Sequence, residues 1–248
     1  MSHKSFDGTR DARTVMRGEP ERDAAMSFYD RLEAGRRLAA ELIKYKSEDV
    51  VVLALPRGGV PVAAPIAIAL DAPLDLILVR KIGVPFQPEF AMGAVADGGT
   101  PLIVRNEDVI AMTGVSEEQF NVVCQRELAE IERRRRLYLG ARTQPEVRGC
   151  IAIVVDDGVA TGATTRAALR AVRARHPKKL VLAVPVAPPD TLESLRVETD
   201  ETICLETHAD FGAIGFFYAD FRQIGDEEVI ATLDRLRAGR RSSADRNE

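Results

Sequence analysis

Apolar residues in this chain recur in two rhythms, and their alternation along the sequence predicts the fold. From Asp30 to Tyr45, Leu32, Leu38, Leu42 and Ile43 share one face of a helix that Asp30 can cap. Val50 to Leu55 is a short β-branched run, the mark of a strand buried on both faces. It ends in Pro56-Arg57-Gly58-Gly59, and an Ala- and Ile-rich helix is expected from Val60 to Leu70, with Pro65 costing a backbone hydrogen bond. Leu74 to Arg80 reads as a second strand and Ile82 to Phe90 as a loop. Ala91 to Ala96 and Pro101 to Val104 read as a hairpin around Asp97-Gly98-Gly99.

Ser116 to Leu139 has the period of a long helix, with Ser116 and Gln119 spaced as a capping box. Strands are expected at Cys150 to Val155, Lys179 to Val186 and Thr202 to Glu206. Helices are expected at Thr164 to Arg175, Asp190 to Arg196 and Asp226 to Arg237. Such strand–helix alternation predicts an α/β fold, a doubly wound parallel sheet covered on both faces. Ligands of such sheets bind at the carboxyl ends of the strands, so the loops at 56–60, 80–90 and 156–165 are predicted to share one rim.

Composition narrows the class. The chain has 248 residues, 46% hydrophobic and 29% charged, which suits a globular protein with a substantial core. No apolar run is long enough for a transmembrane helix, and the polar N-terminus lacks the apolar core of a signal peptide. Cys124, Cys150 and Cys204 are odd in number and widely spaced, which points to thiols in a reducing cytoplasm. A net charge of −4 gives no general electrostatic case for nucleic acid. Residues 1–25 and 241–248 are expected to be flexible tails.

The densest chemistry lies between Ile153 and Thr165. Asp156 and Asp157 leave a buried strand, and a turn of small residues and hydroxyls, Gly158-Val159-Ala160-Thr161-Gly162-Ala163-Thr164-Thr165, then opens a helix. Paired carboxylates there can accept hydrogen bonds from two neighbouring ribose hydroxyls. A Gly-rich turn with a helix N-terminus behind it can cradle a phosphate. No Lys follows the glycine, so this is not a nucleoside-triphosphate P-loop, and the spacing of a dinucleotide fingerprint is missing.

This segment resembles the phosphoribosyl pyrophosphate (PRPP) motif of the type I phosphoribosyltransferases. The resemblance covers about residues 30–225 of a domain spanning 26–240, with a helical insert at about 106–148. It implies a type I phosphoribosyltransferase-like sheet with a small C-terminal hood, and a cytoplasmic transferase of nucleotide metabolism. Such an enzyme moves ribose 5-phosphate from PRPP to a nitrogenous base, assisted by Mg²⁺. Asp156 and Asp157 would hold the ribose hydroxyls and touch Mg²⁺ indirectly, through PRPP or water. Ala160, Thr161, Gly162, Ala163, Thr164 and Thr165 would bind the 5-phosphate. Arg57, Gly58 and Gly59 would bind pyrophosphate, in a loop that in the family often contains a non-proline cis peptide, here Pro56–Arg57 or Arg57–Gly58. Arg80 and Lys81 would neutralise the leaving group beside a flexible loop at 82–90.

Phe216, Phe217 and Tyr218 lie in an aromatic stretch, Asp210 to Phe221, where the hood would meet the base. Members that use 6-oxopurines carry an acid where this chain has Ala160, so the resemblance does not extend to that acceptor. Family members are often dimers, which makes a homodimer an expectation here. The alternative function is a non-catalytic PRPP-binding regulator, acting on transcription or on RNA through Arg133-Arg134-Arg135-Arg136. That run otherwise reads as a solvated helix face paired with Glu127, Glu130 and Glu132.

Overall fold

A computed structural model describes residues 26–97, 101–140 and 144–244. The expected tail 1–25, Gly98 and Gly99 of the expected hairpin turn, and residues 245–248 lie outside the described residues. The architecture is α/β, with a central parallel sheet. Helix α1 (Arg31–Leu42) runs into a 3₁₀ turn and is followed by β1 (Val50–Ala54), α2 (Gly59–Leu70) and β2 (Leu74–Leu76). An excursion comes next: β3 (Val79–Val84), β4 (Gln87–Ala96), β5 (Leu102–Arg105), α3 (Glu107–Thr113) and α4 (Glu117–Leu139). The chain then returns through β6 (Ile151–Val155), α5 (Ala163–Arg173), β7 (Lys179–Ala187), α6 (Pro189–Arg196), β8 (Glu201–Thr207) and α7 (Asp226–Ala244).

Five parallel strands lie in the order β2-β1-β6-β7-β8. Successive side chains point to opposite faces. Val50, Val52, Ala54, Ile151, Ile153 and Val155 face a core closed by α1, α2 and α7, while Val51, Leu53, Ala152 and Val154 face one closed by α5 and α6. Both faces are therefore dry, which explains the unbroken apolar runs. Ser116 caps α4 with the reciprocal Gln119 bond that its spacing predicts. Pro65 is accommodated inside α2.

The excursion corrects two expectations. Leu74 to Arg80 is not one strand: β2 pairs with β1, the chain leaves the sheet after Leu76, and Val79 begins an antiparallel partner of β4. Nor is 82–90 a loop. It is the closed end of the β3–β4 hairpin, because Ile82 and Val84 bury in the same core as Phe120 and Val123 of α4. Pro88 is tolerated because it falls in an irregular stretch, between the Gly83–Ala91 and Val84–Gln87 pairs, where the ladder needs no N–H from it. The helix at the chain's end continues to Ala244, beyond the Arg237 expected from periodicity.

Candidate functional site

Register builds the rim. Ala54 of β1 stands opposite both Leu76 of β2 and Val155 of β6, so three strands end level with one another. The Leu55 N–H donates to Val155 O at 2.9 Å, and this bond carries the Pro56–Gly59 turn alongside Asp156 and Asp157. The Pro56–Arg57 peptide bond is cis, at one of the two positions named from the sequence. Gly58 is required by proximity: a Cβ there would lie 2.0 Å from Asp157 Oδ2.

The two adjacent acids have different surroundings. Asp156 lines a small recess with Pro56, Arg80, Arg134 and Thr164. One of its oxygens, Oδ1, accepts the Asp157 N–H at 2.9 Å. Burial and the neighbouring Asp157 carboxylate push its pKa well above the usual carboxylate range. Asp157 sits beside Gly58. Its Oδ2 accepts from Arg31 Nε at 2.7 Å, in a pair whose side chains are 9% and 12% exposed. Burial raises Asp157 as well, against the pull of Arg31. Arg31 also donates to Arg222 O at 2.9 Å and lies over the Phe221 ring, 3.8 Å from its centroid. Sequence reading missed Arg31. A charged residue at the first position of a helix carries no mark of the carboxylate it will meet 126 positions later.

The turn and the helix opening lie where the spacing put them. Gly162 caps α5 in the left-handed region at φ +75°, a conformation that favours glycine. The first helical N–H to find a carbonyl is that of Arg166, on Gly162 O at 2.8 Å, so the preceding amides of Ala163, Thr164 and Thr165 open onto the loop. Thr161 is exposed, Thr164 half-buried and Thr165 buried, which ranks their access to a ligand in that order. Thr191 of α6 donates to Ala160 O at 2.8 Å and steadies the loop from behind.

Arg80 and Lys81 separate as strand neighbours must. Arg80 lines the recess of Asp156 and is held through Nε by the buried Glu127 of α4 at 2.8 Å. Lys81 is exposed and does not line that recess. Arg57 reaches Asp226 at a long 3.4 Å, and Asp226 also accepts the Tyr138 hydroxyl at 2.5 Å. In the hood, Tyr218 is buried. Its ring lies 5.4 Å from Phe28 and 5.1 Å from Phe221, and its hydroxyl donates to Asp157 O at 2.6 Å. It thus braces the acidic turn, and its ring is not offered to a base. Phe217 packs on His208 and Phe211, whereas Phe216 is exposed.

With this geometry in view, comparison with known proteins is decisive. A sequence model of the phosphoribosyl transferase domain matches residues 27–220. The chain belongs to the phosphoribosyl transferase family. Over 208 residues, 84% of the chain, it is 46% identical to the candidate phosphoribosyl transferases MT0597 and Rv0571c of two Mycobacterium tuberculosis strains. It spans about half the length of these relatives, 46%. The crystal structure of TT1426 from Thermus thermophilus superposes with a TM-score of 0.74 at 39% identity, covering 85% of this chain and 99% of that one. Among the described residues no helix is long and apolar enough to cross a membrane.

Proposed function

We propose that the chain is a PRPP-dependent phosphoribosyltransferase, and that the rim formed by the turns at 56–59 and 156–165 is its active site. The observation that carries this reading is the level ending of β1 and β6. It brings the Pro56–Gly59 turn beside Asp156, and Pro56, Asp156 and Thr164 of α5 line one recess. Ribose 5-phosphate has a matching distribution of groups. Its phosphate suits the Thr161–Thr165 amides and hydroxyls, and its vicinal hydroxyls suit Asp156.

The reaction is displacement of pyrophosphate from C1 of PRPP by a nitrogen nucleophile. Asp156 orients the ribose, the α5 N-terminus fixes its 5-phosphate, and Arg57 and Arg80 stabilise charge gathering on the departing pyrophosphate. Asp157 supports the turn through Oδ2, which Arg31 holds. Among the described residues no cluster of three or more metal-ligating side chains exists. A single cleft-facing carboxylate fits Mg²⁺, which is commonly bound through one or two carboxylates together with substrate phosphates. When bound, the ion supplies Lewis-acid stabilisation of the pyrophosphate. The acceptor is a base that needs no acid at position 160.

Calorimetric titration with PRPP and Mg²⁺, repeated with a panel of free bases, tests the proposal. Binding followed by pyrophosphate release with one base establishes the transferase and names its acceptor. Binding without release under every base points to the regulator, and no binding refutes the site. Asp156→Asn alters the acceptor offered to a ribose hydroxyl and is expected to weaken PRPP roughly tenfold. Its melting temperature should stay close to that of the parent. Unchanged affinity takes Asp156 out of the site.

A further inference from the structure

The four arginines late in α4 do not share one environment. Arg133 closes both Nε and Nη2 on Glu130, and Arg136, 77% exposed, pairs with Glu132. Arg135 reaches Asp97 at 3.5 Å. Arg134 is only 32% exposed, and it alone of the four lines the recess that holds Asp156, Thr164 and Pro56. Its Nε is taken by Glu130 Oε1 at 2.7 Å, and no protein partner for either Nη nitrogen is found among the described residues.

Arg80 repeats the arrangement. Its Nε is taken by Glu127 at 2.8 Å, it has no other protein partner among the described residues, and it lines the same recess. Glu127 and Glu130 are three residues apart, so they stand on one face of α4, a turn from each other. Glu127, which also binds Arg126, holds Arg80 by Nε, and Glu130, which also binds Arg133, holds Arg134 by Nε; the outer forks of Arg80 and Arg134 are left unused among the described residues. Two forks with fixed stems are suited to an anion with several oxygens. Among the described residues, the only carboxylate lining the recess is Asp156. Glu127 and Glu130 are already neutralised by their arginines.

We propose that Arg134, carried by the inserted helix α4, binds the pyrophosphate end of PRPP opposite Arg80. The inserted helix thereby becomes a wall of the active site. This rests on the reading of the rim as a PRPP site, and the test below separates the failure of one from the failure of the other. The competing view, a solvated helix face with ordinary i,i+4 pairing, applies to Arg133 and Arg136. It does not account for the recess around Arg134.

The test compares Arg134→Met with Arg133→Met, since each deprives Glu130 of one cation. Affinities for PRPP, pyrophosphate and ribose 5-phosphate are measured by calorimetry with Mg²⁺. Arg134→Met is expected to weaken PRPP and pyrophosphate about tenfold or more, the loss typical of a charged hydrogen bond, and to leave ribose 5-phosphate unchanged. Arg133→Met should move none of the three. Pyrophosphate and PRPP affinities that match the parent in Arg134→Met overturn the proposal. So does an equal loss for ribose 5-phosphate, which would mark a general change of fold. If the parent chain binds none of the three ligands, the PRPP reading itself fails and this proposal falls with it.

Discussion

Removal of Arg31 is the sharpest test of the division of labour between the two acids. The Arg31–Asp157 pair is close, 2.7 Å, and nearly dry. At a charge separation of about 4 Å and an effective dielectric of about 20, its attraction is about 4 kcal/mol. Arg31→Met withdraws that attraction and leaves a buried carboxylate without its cation. It also removes the bond to Arg222 O and the stacking on Phe221. Breaking one side of a buried pair costs about 3–5 kcal/mol, and that is the expected loss in urea unfolding. Asp157→Asn leaves Arg31 charged without its anion while relieving a carboxyl that burial raises, and its effect is read from the same unfolding curves. The double variant, Arg31→Met with Asp157→Asn, carries no buried charge at this place. Its loss should fall short of the sum of the singles by about 2 kcal/mol or more. Strictly additive losses, or an Arg31→Met variant as stable as the parent, would refute the assignment of Asp157 to structure. The same reasoning makes a joint replacement of Asp156 and Asp157 a poor probe of binding, since it mixes a cleft residue with a fold residue.

Two further outcomes follow from the packing. Asp75 is fully buried in β2 with no side-chain hydrogen-bond partner among the described residues, and burial, only partly offset by the Leu76 N–H and the charges of Arg175 and Arg237, raises its carboxyl to about 6 from 3.8. A carboxyl raised in the folded state is penalised when charged, so its penalty is absent below about pH 4, grows to pH 6 and is full above, reaching about 3 kcal/mol. Asp75→Asn should therefore be more stable than the parent at pH 7.5, by up to about 3 kcal/mol, and lose that advantage near pH 4; a less stable variant at pH 7.5 contradicts the argument. Gly58→Ala would force a methyl to 2.0 Å from an Asp157 oxygen that Arg31 already holds, so it should cost about 1–3 kcal/mol in thermal or urea unfolding, whereas Gly225→Ala, with nothing within 4 Å, should behave as the parent.

The layered α/β plan was legible in the sequence because β1, β6 and β7 are buried on both faces, and a short unbroken apolar run fits few places other than such a strand. The capping box of α4 and the helix opened by Gly162 were equally plain, since both are set by residues within one turn of each other. What escaped was decided at a distance. The break of Leu74 to Arg80 into two strands depends on where β4 and α4 offer partners, and nothing within those seven positions announces it. Arg31 was invisible as a site residue because its anion comes from a distant part of the chain, and Arg134 was hidden inside a run whose other members are ordinary surface charges.

The members of the two adjacent pairs have different surroundings. Motifs name residues by adjacency, and both Arg80-Lys81 and Asp156-Asp157 invite a reading in which neighbours act together. An extended backbone turns consecutive side chains to opposite sides. Arg80 enters the recess and Lys81 faces solvent; past the end of β6, Asp156 lines the recess while Asp157 Oδ2 is held by Arg31. One member of each pair can serve a ligand while the other serves solubility or the fold. The polar and turn residues that converge on the recess, Pro56, Arg80, Arg134, Asp156 and Thr164, come from four segments of the chain, the last two from one loop. Each arrives through its own anchor: a register bond from β1, a carboxylate of α4, or the cap of α5. Chemistry at this rim is therefore a property of how the strands end level, and a substitution in α4 can reach it without touching the motif that identifies the family.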